Sequence, residues 1–279
     1  MELAAGQSEP PAGTAVESVR IGELEAERLI PPGADPSRLL LWFFGGGYQA
    51  GSPATTRALA ARIGLACKAT VMVPRYRLCP EYPLAAGLED GLAAYRFLAA
   101  YPAPRSLAVG GESAGGGLAL RLLVALRDAG DQMPAGGALI SPWTDLALTG
   151  ASLRTNARSD VLFSPAFLAR MTANLVAPAG FRDPGVSPVY ADLSGLPPLL
   201  VHVSGAEALL DDSLRLADRQ EKPVPDITVK VFPGLWHAFH QQADLPEARR
   251  AVDQIGDFLS GRFDHAAEAP ADQFRPIPR

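Results

Sequence analysis

The sequence predicts an α/β fold, in which a mostly parallel sheet is covered by helices on both faces. Short apolar runs alternate with segments of helical periodicity along most of the chain, which is the order of βα units. Some runs, such as residues 39–44, are apolar at every position, as a central strand covered on both faces should be. Because α/β folds of this length often form one unit, we expect residues 1–279 to be a single domain.

The first part of the chain predicts the beginning of this sheet. Residues 1 to about 17 are rich in Ala, Gly, Pro and Glu, which is typical of a flexible or loosely docked segment. Residues 19–30 mix apolar and charged side chains and predict a strand. A turn at 31–36 leads to the strand at 39–44, which ends in three glycines at 45–47. Helices are then expected at 55–67 and 84–100, on either side of a strand at 70–74.

A Gly-x-Ser-x-Gly motif, Gly111 to Gly115, follows the apolar run 106–109 and precedes the helix-forming run 118–126. In a nucleophile elbow with this strand–turn–helix context, the serine sits in a strained turn and its hydroxyl projects from the top of the sheet. The flanking glycines are needed because side chains there would collide with the neighbouring strand and helix. The alternative is a glycine-rich turn with an incidental serine.

After the strand expected at 137–141, the alternation of strands and helices is interrupted. Residues 146–190 predict a helical insertion over the sheet, or equally an ordinary pair of surface helices. The alternation resumes with strands at 198–204 and 226–232. Helices are expected at 213–221 and 246–259, and a flexible tail at about 264–279.

Two further residues complete a catalytic constellation with Ser113. Glu207 is the first acid after the strand at 198–204, and His237 follows the last strand. The chain order serine, acid, histidine places all three at the carboxyl ends of parallel strands, where open α/β sheets build their sites. An alcohol is a poor nucleophile at neutral pH and needs a base, and the histidine needs a carboxylate to hold its tautomer and favour its charged form.

Neighbouring residues offer alternatives for these roles. Asp211 is the alternative acid, although either Asp211 or Asp212 is expected to cap the helix that follows. His240 is the alternative base, but the earlier histidine comes first after a proline-glycine turn. His202 lies within a predicted strand and His265 in the predicted tail, so neither is favoured for catalysis.

The three glycines at 45–47 offer unhindered backbone N–H groups near the same edge of the sheet. Together with the N–H of Ala114, they are placed to bind the oxyanion of a tetrahedral intermediate.

Several stretches carry a family resemblance. They are Gly111-Glu112-Ser113-Ala114-Gly115-Gly116, Tyr76-Arg77-Leu78-Cys79-Pro80-Glu81 with Asp90, Ser141-Pro142-Trp143-Thr144-Asp145-Leu146, Asp183-Pro184 with Ser187-Pro188, and Gly195-Leu196-Pro197-Pro198. In these motifs the chain resembles the hormone-sensitive-lipase-like branch of the α/β-hydrolases, which includes bacterial carboxylesterases. The resemblance covers roughly residues 38–260.

This resemblance implies an α/β-hydrolase fold with Glu207 as the acid and His237 as the base. It implies that Gly46, Gly47 and Ala114 are the oxyanion donors.

The resemblance also implies a small helical cap, formed from the N-terminal segment and residues about 146–190. One position departs from the family pattern, since the oxyanion loop His-Gly-Gly-Gly has Phe44 in place of its histidine. In the family that histidine orders the loop and does not take the serine proton. Phe44 therefore leaves the catalytic set intact and changes the contacts that support the loop.

Five residues are candidates for the substrate pocket. Phe163, Phe167, Met171 and Leu175 recur at roughly helical spacing, so one apolar helix face is expected to line an acyl pocket above the serine. Alternatively, they pack the cap onto the sheet. Tyr48 directly follows the glycine loop.

Composition limits the remaining function classes. The net charge of −5 and the pI near 5.4 argue against a nucleic-acid partner. No apolar run approaches the ~18 residues of a membrane span, and the first residues lack the basic start and apolar core of a signal peptide. Cys67 and Cys79 lie in no metal-like or redox-like spacing, so we expect reduced thiols in a cytoplasmic protein. The four histidines are scattered, and neither a metal nor a cofactor is expected.

We therefore expect a serine carboxylesterase that hydrolyses short-to-medium-chain carboxylic esters or lactones through an acyl-enzyme. An N-acetyl hydrolase with the same three residues is one alternative. A non-catalytic ligand-binding protein is another, because plant hormone receptors that resemble this family lack the catalytic histidine. The presence of His237 favours the enzyme. The expected partner is a small-molecule ester, and a homodimer is left open.

Overall fold

The computed structural model describes residues 9–100, 106–218 and 226–268. Within these ranges, eight strands form one sheet in the order β1-β2-β4-β3-β5-β6-β7-β8. β1 and β2 pair antiparallel, β2 pairs antiparallel with β4, and all other neighbours are parallel, which confirms the predicted mostly parallel sheet. The strands are β1 Ala15–Ile21, β2 Leu24–Ile30, β3 Asp35–Phe43, β4 Ala69–Pro74, β5 Ser106–Glu112, β6 Gly137–Ile140, β7 Leu199–Ser204 and β8 Ile227–Phe232.

Helices cover both faces of the sheet, as predicted. The helices are α1 Pro53–Cys67, α2 Leu84–Ala99, α3 Ala114–Ala129, α4 Ser152–Thr155, α5 Pro165–Ala173, α6 Leu210–Asp218 and α7 Pro246–Glu268. Successive side chains of a strand point to opposite faces. On β3, Trp42 bonds to Thr56 of α1, whereas the ring of Phe43 lies against Gly91 of α2. α1 and α2 are therefore on opposite faces, and both rings are fully buried.

The predicted strand at 19–30 is wrong in one respect, because two strands occupy this region. β1 and β2 form a hairpin in which Ile21 pairs with Leu24 around a two-residue turn. Gly22 takes a φ of +57°, which a tight hairpin turn requires at its first position and which glycine adopts at no steric cost. The described residues 15–30 thus extend the sheet edge and do not contribute to a cap. Residues 1–8 lie outside the described residues.

The interruption at 146–190 contains α4, α5 and two short 3-10 helices, Pro178–Gly180 and Pro188–Tyr190. This segment lies against the loops at the carboxyl edge of the sheet. The side chain of Gln49, which follows the glycine loop, donates to the carbonyl of Met171 in α5 at 3.1 Å.

The tail predicted from residue 264 is wrong for its first residues, because α7 continues to Glu268. Phe263 is fully buried, and Asp264 accepts a hydrogen bond from Arg38 of β3 at 2.5 Å. Residues 269–279 lie outside the described residues. None of the described helices has the length and hydropathy needed to cross a bilayer.

A pair of histidines lies buried beneath the last strands. His202 of β7 and His240 contact each other through Nδ1 and Nε2 at 3.2 Å, and both are fully buried. Burial lowers the pKa of His202 from 6.5 to about 3, with a smaller contribution from Lys230. Burial likewise holds the pKa of His240 well below its usual range. Both rings are therefore neutral in the fold at neutral pH.

This pair predicts a loss of stability in mild acid. Because the folded pKa of His202 lies below the unfolded one, the unfolded chain binds more protons below pH 6.5. The contribution of His202 to stability is fully present above that pH and is lost as the pH falls towards 3. Between pH 7.5 and 5, His202 should account for a loss of about 2 kcal/mol in the free energy of unfolding.

Urea unfolding of the His202→Gln variant should show a correspondingly weaker pH dependence over this range. The exposed His265 gives the control, since His265→Gln should keep the wild-type dependence. An unchanged slope in His202→Gln would contradict the prediction.

Candidate active site

Ser113 lies in a sharp turn between β5 and α3, with φ +57° and ψ −123°. A side chain at either flanking glycine would collide with backbone. A Cβ on Gly111 would lie 2.5 Å from the carbonyl of Gly115, and a Cβ on Gly115 would lie 2.0 Å from the carbonyl oxygen of Phe43. The turn therefore requires the two glycines of the predicted elbow, and it places a strained serine at the end of a central strand.

Glu207 and His237 meet at the carboxyl edge of the sheet. Nδ1 of His237 lies 3.0 Å from Oε1 of Glu207, and both side chains are buried. The second carboxylate oxygen of Glu207 accepts hydrogen bonds from Oγ of Ser141 at 2.7 Å and from the N–H of Ser204 at 2.9 Å. Nε2 of His237 is buried and has no hydrogen-bond partner among the described residues. One ring nitrogen is thus fixed by the acid, and the other is free.

The elbow and this pair are joined through β6. The N–H of Ser113 donates to the carbonyl of Ile140 at 2.8 Å, and the next residue, Ser141, holds Glu207. Oγ of Ser141 also accepts from the N–H of Ala238, directly after His237. A short hydrogen-bonded path therefore connects the serine turn to both other members of the predicted set.

The alternative acid and the alternative histidine lie elsewhere. Asp211 accepts from the N–H of Ser152, and Asp212 accepts from the N–H of Thr144. α6 begins at Leu210, so both acids lie inside its first turn, and the prediction that one of them is its N-cap is wrong. His240 is paired with the histidine of β7 instead of with a carboxylate.

The glycine loop after β3 turns away from the strand with backbone angles that favour glycine. Gly46 has φ +130° and Gly47 φ +64°, and a Cβ on Gly46 would lie 2.0 Å from the carbonyl oxygen of Ala50. The carbonyl of Gly46 accepts from two later N–H groups, whereas the N–H groups of Gly46 and Gly47 have no acceptor among the described residues. Ala114 begins α3, where N–H groups are left unpaired by the helix. Three N–H groups at this edge can therefore bind an anion.

Phe44 occupies the position that precedes the three glycines. Its ring is fully buried and stacks on Tyr76, with centroids 4.2 Å apart and planes at 20°. The hydroxyl of Tyr76 donates to the carbonyl of Phe44 at 2.7 Å. An apolar ring thus packs beneath the loop, and the polar support comes from a neighbouring residue.

The chain matches an alpha/beta hydrolase fold family model over residues 40–241. It belongs to the α/β-hydrolase family. An acetyl-hydrolase from Streptomyces hygroscopicus is 41% identical over 243 residues, which are 86% of this chain and 81% of that protein. The fold also superposes on an esterase of the bacterial hormone-sensitive lipase family, with a TM-score of 0.89 and 38% identity, covering 93% of this chain and 88% of the other. The resemblance to the hormone-sensitive-lipase-like branch is confirmed.

A second solved structure, that of EstE5 in a crystal soaked with p-nitrophenyl butyrate, superposes with a TM-score of 0.88 and 36% identity, and the match covers 93% of this chain and 88% of the other.

In this α/β-hydrolase, two of the predicted pocket residues, Phe163 and Met171, lie at the site. Phe163 contacts the ring of His237 edge-to-face at 4.8 Å, and the terminal methyl of Met171 lies against Gly47. Tyr48 packs on Trp143, with ring centroids 6.1 Å apart.

The single helix face predicted for the pocket residues is wrong. Of the four residues, only Phe167 and Met171 lie in α5. Ser164 caps this helix, so Phe163 precedes it, and the helix ends at Ala173, before Leu175. Phe167 stacks on Phe163 and is 37% exposed, whereas Leu175 is buried in the main core. The apolar wall beside the histidine is therefore formed by a loop and a helix together.

Two residues of the site were assigned no role from the sequence. Ser141, with φ +46°, binds Glu207 from the end of β6. Glu112, the last residue of β5, is buried and accepts from the N–H of Gly45 at 2.9 Å and from Nε1 of Trp42 at 2.7 Å. A polar residue that ends a strand, or directly follows one, after a run of apolar residues is the signal that marks both positions.

Burial raises the pKa of the Glu112 carboxyl to about 7, and the N–H of Gly45, Thr56 and Trp42 oppose this shift. Among the described residues, no three His, Cys, Asp or Glu side chains are grouped as a metal site requires.

Proposed function

We propose that this α/β-hydrolase is a serine carboxylesterase with Ser113 as nucleophile, His237 as base and Glu207 as acid. The observation that carries the proposal is the buried Glu207–His237 contact, which leaves Nε2 of the histidine free at the edge where the strained serine turn lies. The related esterase of the bacterial hormone-sensitive lipase family and the soak of EstE5 with an ester support the ester substrate.

In the first half-reaction, Nε2 of His237 takes the proton of Ser113 as its Oγ attacks the carbonyl carbon of the ester. The electron pair of the carbonyl moves to oxygen, and the N–H groups of Gly46, Gly47 and Ala114 stabilise this oxyanion. Glu207 stabilises the imidazolium that forms. The intermediate then collapses, the histidine gives its proton to the departing alkoxide, and an acyl-serine and an alcohol result.

In the second half-reaction, a water molecule gives its proton to Nε2 of His237 and attacks the acyl-serine. Collapse of the second tetrahedral intermediate returns the proton to Oγ of Ser113 and releases the carboxylic acid. A lactone would follow the same two steps, with both products joined in one hydroxy acid.

The preferred acyl chain is short to medium. Phe163 beside the histidine and Met171 against Gly47 limit the space next to the oxyanion loop. The soak of EstE5 with the butyrate ester is consistent with a chain of this length in the family.

Removal of an acetyl group from an amide is a second candidate, because the Streptomyces relative is named an acetyl-hydrolase. An amine departs less readily than an alkoxide, so this reaction depends more strongly on proton donation by His237. Matched acetate esters and acetamides would distinguish the two substrates.

Ser113 should react covalently with a fluorophosphonate, since a free base and oxyanion donors activate a serine towards such reagents. Peptide mass spectrometry should find the adduct on Ser113. Hydrolysis of p-nitrophenyl butyrate should be lost in Ser113→Ala. Labelling or hydrolysis that persists in this variant would refute the nucleophile.

Neutralising the acid should separate Glu207 from Asp211. Glu207→Gln should lower kcat by about 10⁴-fold, as loss of a triad carboxylate does elsewhere. Asp211→Asn should change kcat less than about threefold, because Asp211 binds the N–H of Ser152 and does not touch His237. The opposite ranking in ester hydrolysis would identify Asp211 as the acid.

Met171 should set the acyl-chain limit. With a series of p-nitrophenyl esters, kcat/KM should rise by up to about fourfold per methylene, from ~0.8 kcal/mol each, until the pocket is full. Met171→Ala should move the optimum to a longer chain. Val161, which is 75% exposed, gives the control, and Val161→Ala should keep the wild-type profile. If both variants keep that profile, Met171 does not line the pocket.

A further inference from the structure

The peptide group between Phe44 and Gly45 is hydrogen-bonded on both sides by buried side chains. Its carbonyl accepts from the hydroxyl of Tyr76 at 2.7 Å, and its N–H donates to Oε1 of Glu112 at 2.9 Å. The two side chains come from different parts of the fold, since Glu112 ends β5 and Tyr76 follows β4. This peptide directly precedes the two glycines that carry the proposed oxyanion donors.

The loop needs such support because three glycines in a row have wide freedom in φ and ψ. Oxyanion donors are effective only when they are held in place before the charge develops. The side chain of Phe44 offers no polar group to hold the loop, although its ring packs on Tyr76.

The carboxyl group of Glu112 is buried at a cost that a neutral side chain would avoid. Its second oxygen accepts from Nε1 of Trp42 on β3, and the same Nε1 lies 3.2 Å from Oγ1 of Thr56 on α1. The carboxylate therefore links the loop to two rigid elements of the scaffold.

We propose that Glu112 and Tyr76 are positioning residues that clamp the peptide between Phe44 and Gly45, and that Glu112 does so in its ionised form. The proposal rests on the function proposed above. An ionised carboxylate accepts through both oxygens, and hydrogen bonds to a charged acceptor are about twice as strong as neutral ones. A protonated acid loses an acceptor site on one oxygen, and the bond to Gly45 or the bond to Trp42 weakens.

The groups that face Glu112 keep their charge over the pH range in which Glu112 ionises, so a pH-dependent change in the loop contacts reports the ionisation of Glu112. Trp42, Thr56 and the Gly45 N–H are neutral, and Tyr76 is the titratable group in electrostatic contact with it among the described residues. Burial holds the pKa of Tyr76 well above 10, so its hydroxyl remains a donor throughout the working range. Because the pKa of Glu112 is about 7, its carboxyl group changes from neutral to ionised between pH 5.5 and 8.5.

The first test compares wild type and Glu112→Gln in ester hydrolysis from pH 5.5 to 8.5. The amide cannot accept at its nitrogen, so at pH 8.5 kcat should fall by about 30-fold with KM changed less than about threefold. At pH 5.5 the wild-type carboxyl is neutral as well, and the ratio of the two rates should narrow to about threefold. A ratio that is constant over this pH range would refute the role of the ionised form.

The second test uses tyrosine variants. Tyr76→Phe should lower kcat by about tenfold with little change in KM, because one of two bonds to the peptide is lost. Tyr95→Phe is the matched control, since its buried hydroxyl also donates to a backbone carbonyl, that of Gln132, at 2.8 Å. It should lose similar stability and keep the wild-type kcat. Equal losses of kcat in both variants would indicate a general structural effect and refute the clamp.

Hydrogen exchange provides a readout that does not depend on activity. The backbone of residues 44–48 should exchange faster in Glu112→Gln and Tyr76→Phe than in wild type. If the two variants exchange faster but the wild-type protein shows no Ser113-dependent ester hydrolysis, the clamp is supported and the proposed function is refuted. Unchanged exchange and unchanged kcat in an active esterase would refute the clamp and keep the function.

Discussion

The close approach of three backbone segments around Ser113 is the constraint on which the rest of the site depends. β5, α3 and the end of β3 come so near to each other that Gly111 and Gly115 leave no space for a methyl group. This approach puts the strained serine and the glycine loop, which carry the proposed nucleophile and oxyanion donors, at one edge of the sheet. The loops that carry Glu207 and His237 then have to meet this edge beside Ser113.

Buried carboxylates bring the loops of this edge together. Glu112 binds the glycine loop, Glu207 binds the histidine loop, and Asp212 accepts the N–H groups of Thr144 and Asp145 after β6. Glu112 ends β5 and Asp212 lies in the first turn of α6, whereas Glu207 lies in the turn between β7 and α6 and accepts from the N–H of Ser204 at the end of β7. Their surroundings differ. Burial raises the pKa of Glu112 to about 7 and that of Asp212 well above its usual range.

The sequence predicted the parts of the fold that leave a strong local pattern. The apolar strands, the helices between them and the Gly-x-Ser-x-Gly turn were predicted because burial on two faces and glycine at strained positions restrict residue choice locally. The hairpin of β1 and β2 was missed because these edge strands mix polar and apolar residues around a turn marked only by Gly22. The prediction of a single helix face for the pocket was wrong because the bounds and packing of α5 are not determined by the spacing of Phe163 and Leu175.

The role of Ser141 shows why such partners escape sequence reasoning. Its hydroxyl reaches Glu207 across 66 positions of the chain, so no local spacing connects the two residues. At Phe44, by contrast, the sequence shows that the loop-ordering histidine of the family is missing. It does not show which neighbouring residues bind the loop in its place. Since Tyr76 and Glu112 bond to the main chain of the loop, their contacts do not depend on which side chain occupies position 44. The side chain there is then free to serve packing, and an aromatic ring stacked on Tyr76 fills the space beneath the loop without leaving a buried polar group to satisfy.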